Sequence, residues 1–128
     1  MQIIRRIPVK HVLTEQSRSK LKNRFDARVK QLEQECYHLT FEQKKLERKP
    51  GLSKQEVGRR FSKEISRRKD ELRWMEHQLN QLNILPDGSE LETDEVEAVL
   101  SINEGDEWSE SVLEQQIVIK DGIVIRAR

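Results

Sequence analysis

Cysteine is almost missing from this chain. Cys36 stands alone, which excludes an intrachain disulfide, and with no export signal at the start the cytosol is the expected compartment. Long hydrophobic runs are missing too. No apolar stretch approaches the ~18 residues that span a membrane. Residues 1–13 alternate apolar and polar side chains instead of forming a signal-peptide block. Aromatic residues make up only 5 %, yet Leu, Ile and Val recur with strict spacing, which argues against wholesale disorder. Metal-ligand spacing is absent: His11, His38 and His77 share none with one another or with Cys36. No P-loop, dinucleotide fingerprint or nucleophile elbow occurs. The expectation is a non-enzymatic protein without cofactor, metal or catalytic residues.

Charge is what the chain has in abundance. Charged residues reach 37 % against 34 % hydrophobic, a ratio that suits long exposed helices better than one large core. The net charge of +1 hides a split. Residues 1–85 carry 21 Lys/Arg against 11 Asp/Glu, and residues 86–128 carry 3 against 12. Such a split suits a basic arm for an acidic partner. It equally suits an acidic end that neutralises basic surface within the molecule or its dimer.

The basic part has helical periodicity. Thr14 is placed to cap a helix, with Glu15 in its first turn. Phe25, Leu32, Leu39 and Leu46 then recur every seven residues, with Val29, Cys36 and Gln43 four after each of the first three. That 4–3 alternation is a coiled-coil seam, in which Cys36 is a small core residue. Lys49-Pro50-Gly51-Leu52 ends it. Ser53 and Glu56 have the spacing of a capping box for a second helix. Its seam runs Phe61, Ile65, Arg68, Leu72, Met75, Leu79, Leu82 and stops near Leu85-Pro86-Asp87-Gly88. Two nearly equal helices, each roughly 50 Å long, joined by a short break form an antiparallel hairpin. Pairing residues whose numbers sum to 100 or 101 matches Phe25 with Met75, Val29 with Leu72, Cys36 with Ile65 and Leu39 with Phe61. The same register sets Gln43 against Gly58 near the tip and leaves Arg18 and Lys22 as a thin seam at the root.

The chain ends read as β-structure. Ile3, Ile7, Val9 and Leu13 alternate with polar residues, and Pro8 confines that strand to an edge or a bulge. Val96, Ala98, Leu100 and Ile102 alternate in a second strand whose acidic residues, within 90–97, point mostly outward. Gly105-Asp106 makes a turn. Ile117 to Lys120, Asp121-Gly122 and Ile123 to Arg126 form a hairpin with a type I′ turn. A helical hairpin returns the chain to its start, so the two ends can pair. The expected class is α+β: a long antiparallel two-helix coiled-coil hairpin (residues 14–85, tip 49–52) inserted in a small antiparallel β-module built from the N-terminal strand (1–13) and the C-terminal strands (86–128).

Two surfaces stand out. Arg60, Lys63, Arg67 and Trp74 form one outer stripe of the second helix, flanked by Arg59 and Arg73, while Lys44, Lys45, Arg48, Lys49 and Lys54 surround the tip. A basic stripe ending in an aromatic suits phosphate contacts and base stacking; a solvated coiled-coil exterior is also rich in Lys and Arg. The second surface is apolar. Tyr37 and Phe41 lie one turn apart, away from the seam. The C-terminal hairpin is apolar on one face through Val118, Ile123 and Ile125 and on the other through Ile117, Ile119 and Val124. A sheet with two apolar faces must cover both, most simply with a second protomer in a homodimer. The roots of the coil, near Leu21, Leu79 and Leu82, could instead cover one face.

Several segments together resemble the YlqD family of Bacillus-like Firmicutes. They are Ile7-Pro8-Val9-Lys10 with Leu13-Thr14-Glu15, Phe41-Glu42-Gln43-Lys44-Lys45-Leu46-Glu47, Gly105-Asp106-Glu107-Trp108, and Ile119-Lys120-Asp121-Gly122-Ile123-Val124. The resemblance spans nearly the whole chain. It brings no established activity and no functional residues. It implies an RNA- or ribosome-linked setting, because genes of the family lie beside genes for ribosomal and RNA-modifying proteins. Two expectations stand: an RNA- or ribosome-associated binding protein acting through its basic hairpin, or a structural adaptor or homo-oligomer making protein contacts through the coil and the β-end.

Overall fold

The computed structural model of the chain describes residues 1–109 and 114–128. Its elements are β1 (Gln2–Val12), α1 (Glu15–Glu47), α2 (Lys54–Ile84), β2 (Glu90–Ser101), β3 (Ile117–Lys120) and β4 (Ile123–Ala127). Two compact units result, one from Met1–Lys20 with Gln81–Arg128, the other from Leu21–Asn80. The class is α+β. Among the described residues no helix is long and apolar enough to cross a membrane.

In the unit Leu21–Asn80, α1 and α2 pack against each other. The heptad decides what is covered. Phe25 and Leu32 are buried, whereas Val29, Cys36, Leu39, Leu46, Phe61, Ile65, Leu72 and Met75 are half-buried. A two-helix seam has no third layer to close over it. Long polar side chains roof it instead: the Arg28 guanidinium donates to both Glu71 oxygens at 2.9 Å, and Arg68 donates to Glu35 at 3.3 Å and Glu64 at 2.8 Å. These partners agree with the expected register, as does the tip, where a Cβ on Gly58 would lie 3.8 Å from Gln43 Nε2. Arg68, at a seam position, stands opposite Leu32 in that register and turns its charged end to the two carboxylates. Disulfides between cysteines placed at Val29 and Leu72, or at Leu39 and Phe61, in a Cys36→Ser background should therefore close readily on oxidation. Closure only after one partner is moved by three or four residues contradicts the register.

The helix ends follow from local chemistry. Thr14 and Ser17 cap α1 reciprocally, Ser17 N donating to Thr14 Oγ1 at 3.1 Å and Thr14 N to Ser17 Oγ at 2.8 Å. α1 stops at Glu47, slightly earlier than the sequence pattern, because the chain tightens (Lys49 N to Leu46 O, 3.2 Å) ahead of Pro50, which disfavours a helical residue before it. Gly51 follows with φ +88°. At α2 only half of the expected capping box forms. Ser53 Oγ accepts from Glu56 N at 3.4 Å, but the Glu56 carboxylate is taken by Arg60 at 3.1 Å.

The other unit holds a four-stranded sheet in the order β2-β1-β3-β4. The N-terminal strand does pair with the C-terminal ones, yet the sheet is mixed where an antiparallel one was expected. β1 and β2 are antiparallel from Gln2↔Ser101 to Val12↔Glu90, and β3 and β4 are antiparallel, but β3 runs parallel to β1 over Val9↔Ile117 to His11↔Ile119. The reason is connectivity. β2 ends beside the start of β1, at Gln2↔Ser101, whereas β3 begins level with Val9 and runs in the direction of β1. Pro8 is accommodated as its missing N–H requires: β3 covers β1 only from Val9 onward, and a bulge follows at Val9/Lys10. The extra residue of that bulge is Thr93, which is buried. It hydrogen-bonds His11 Nδ1 at 2.7 Å and donates to Asp94 at 2.9 Å. The Asp121-Gly122 turn has φ +47° and +82°, as a type I′ turn needs.

Ile7, Val9, Val12, Leu13, Leu82, Leu91 and Val118 form the core of this unit. Val118 departs from the expectation that it offers itself to a partner. It is fully buried within the chain's own fold, while Ile123, Val124 and Ile125 stay exposed. Arg126, its register partner on β4, reaches Glu90 with 3.0 Å contacts to both oxygens and ties β4 to β2 across the strands between them. Arg18 has a role that seam periodicity hid. Its guanidinium donates to Leu82 O, to Leu85 O at 2.5 Å and to Asp87 at 3.0 Å, closing the end of α2.

Candidate nucleic-acid interface

The residues singled out from sequence for nucleic acid all lie in the unit Leu21–Asn80, and all are exposed. They fall into two groups with different electrostatics. On α2 the stripe is internally compensated. Arg60 pairs with Glu56 at 3.1 Å, Arg67 with Glu64 at 3.5 Å and Arg73 with Asp70. The Glu64 carboxyl is held below its ordinary range by the hydrogen bond from Arg68 and then by the charge of Arg67, so it stays an anion amid the stripe. Arg59 and Lys63 are the cations left over there. Trp74 keeps 40 % of its surface exposed, but its ring meets Phe25 edge-on with centroids 6.5 Å apart. It roofs the seam instead of standing free, and the i,i+3 and i,i+4 acids that neutralise the stripe were visible in the sequence.

The tip is different. Lys44, Lys45, Arg48, Lys49 and Lys54 have no carboxylate partner among the described residues. The one acid in 44–54 is Glu47, and its Oε1 accepts from Gln43 Nε2 at 3.0 Å. Lys44 and Lys45 sit in the last turn of α1 and complement its negative end. An open concavity of about 610 Å³ is lined by Lys44, Glu47, Arg48, Lys49, Pro50, Gly51, Leu52 and Lys54. A second, of about 530 Å³, lies on Phe41, Lys44, Lys45, Arg48, Lys49 and Pro50. Phe41 and Tyr37 are exposed, at 58 % and 78 %. Sequence reading set these rings apart from the lysines as a protein contact. The structure brings Phe41 into one concavity with four of the basic residues, which the spacing 37, 41, 44/45, 48 could have disclosed. Among the described residues no cluster of His, Cys, Asp or Glu could hold a metal ion.

These features define a protein with a mixed four-stranded sheet and, inserted in its sequence, a two-helix hairpin whose basic tip has no carboxylate partner among the described residues. The family model described as YlqD protein matches residues 1–128. The chain is also 43 % identical over 131 residues to the "Uncharacterized protein YlqD" of Bacillus subtilis (strain 168), covering all of this chain and 98 % of that one. The chain belongs to the YlqD family. A crystal structure of a protein of unknown function from Synechococcus sp. WH 8102 has the same fold, with a TM-score of 0.71 at 18 % identity over 100 % of this chain and 94 % of that one.

Proposed function

We propose that the protein is a non-enzymatic, cytoplasmic RNA-binding protein whose hairpin tip contacts RNA or the ribosome. The carrying observation is the cluster of five exposed cations at the tip, free of carboxylate partners among the described residues. Phosphate contacts supply most of the affinity of such a surface, through counterion release. The compensated stripe on α2 plays the smaller part, since Arg60, Arg67 and Arg73 must each first leave an acid. Titration of labelled RNA at several salt concentrations tests the reading. Wild type should bind with an affinity that falls as salt rises. Arg48→Glu, Lys49→Glu and Lys54→Glu together should abolish binding, because these side chains project outward and their replacement disturbs no packing. Single replacements should each flatten the salt slope by about 0.7–0.9. No RNA affinity at low salt ends this reading. It then leaves the second one, a homo-oligomeric adaptor, which the exposed Ile123, Val124 and Ile125 on the open edge strand β4 favour.

A further inference from the structure

The outer face of α1 carries a feature that the tip charges alone do not explain. At 3.6 residues per turn, Tyr37, Phe41, Lys44 and Lys45 fall within one sector of about 100° of α1, and Arg48 is the first residue past its end. All five are exposed, and no Asp or Glu between residues 34 and 48 shares that sector. Phe41 and the three cations line the same concavity of about 530 Å³. The rings of Tyr37 and Phe41 are four residues apart, a rise of roughly 6 Å along the axis. That is close to twice the ~3.4 Å rise between neighbouring bases of one strand, which is the room one base needs between two rings.

We propose that this stripe is a stacking platform for unpaired bases, so that the hairpin selects single-stranded over duplex RNA. The proposal rests on the reading of the protein as an RNA binder and names the form of RNA it takes. Two exposed rings continued by three cations that have no carboxylate partner among the described residues match what single-strand binding uses: aromatic faces for the bases, and a basic track for the phosphates. In a duplex the bases are already stacked, and only the track remains useful. Aromatic rings and arginine are also enriched at protein interfaces, but lysines are depleted there and charged residues are depleted from their centres, so the adjacent Lys44 and Lys45 favour a phosphate partner. Trp74, held against Phe25, is not part of the platform.

The test compares a short single-stranded RNA with a duplex of equal length at one ionic strength, by fluorescence anisotropy on the full chain. Wild type should prefer the single strand. Tyr37→Ala and Phe41→Ala should each weaken single-strand binding by about 5- to 150-fold, the range expected for one lost stacking contact. Duplex binding and the salt slope should stay as in wild type, because the cations remain. Tyr37→Phe, which keeps the ring, should retain the affinity. Equal losses on both RNAs, or a wild type that favours the duplex, overturn the platform while leaving RNA binding by the tip intact. Absence of binding to either RNA at low salt overturns both. A change in sedimentation of the Ala variants with RNA affinity unchanged assigns the rings to a protein contact and also overturns the platform.

Discussion

Leu32→Ala is expected to destabilise the hairpin by about 2–5 kcal/mol, the range for a fully buried leucine that leaves a cavity. Leu32 has no exposed surface at all. In the unit Leu21–Asn80 its only equals in burial among apolar residues are Leu21 and Phe25, at 4 % and 1 %. The seam on either side of it is half-buried, so no neighbouring layer compensates for its loss. Arg68 stands opposite in the register with its charge tied to Glu35 and Glu64, so it offers no apolar side chain to fill the space that the leucine leaves. Urea unfolding followed by far-ultraviolet circular dichroism measures the effect. Leu52→Ala, at a tip residue that is 48 % exposed, should change stability by no more than about 0.5 kcal/mol. Equal losses at the two positions mean that stability is not concentrated at the middle of the seam.

Arg18→Ala should cost about 1.5–3 kcal/mol, the scale of a charge-assisted hydrogen bond lost from a partly buried site. α2 has no basic residue in its own last turn. Its terminal carbonyls and the negative end of its dipole are served by Arg18, which comes from the first turn of α1. With alanine there, the carbonyls of Leu82 and Leu85 lose their donor and Asp87 loses its ion pair. Leu82 belongs to the core of the sheet unit, so fraying of this turn also loosens packing. Arg18→Lys keeps the charge but not the planar fork and should recover only part of the loss. Hydrogen exchange should report it directly, with faster exchange at 82–88 in the alanine variant and unchanged exchange around Leu32. Unchanged exchange at 82–88 means that the cap contributes nothing.

The helical part of the fold was legible because its information is local. A seven-residue repeat names the buried face of a helix whatever surrounds it, and a Thr, a Ser and a Pro-Gly pair mark its ends through their own backbone preferences. Even the register was legible, since only one pairing sets Phe25, Val29, Cys36 and Leu39 against apolar residues together. Charge was less so. Composition made the α2 stripe look like the stronger phosphate surface, but rotamers choose partners in three dimensions. Glu56, Glu64 and Asp70 take three of its arginines, whereas the tip keeps its cations.

The amino-acid sequence by itself determined the class, the hairpin, its register, the caps of α1, the type I′ turn and the two chain ends that meet, because each rests on periodicity or on the dihedral preferences of a few adjacent residues. Tertiary structure alone decided the strand order β2-β1-β3-β4 and its one parallel pair. It also decided the burial of Val118 while Ile123 and Ile125 stay open, the capping of α2 by Arg18, and the use of Trp74 as a roof over Phe25. The physical reason is common to all of these. A strand apolar on both faces, an arginine at a seam position and an aromatic at its border each have several ways to be satisfied, and which one is realised depends on groups far away in the chain.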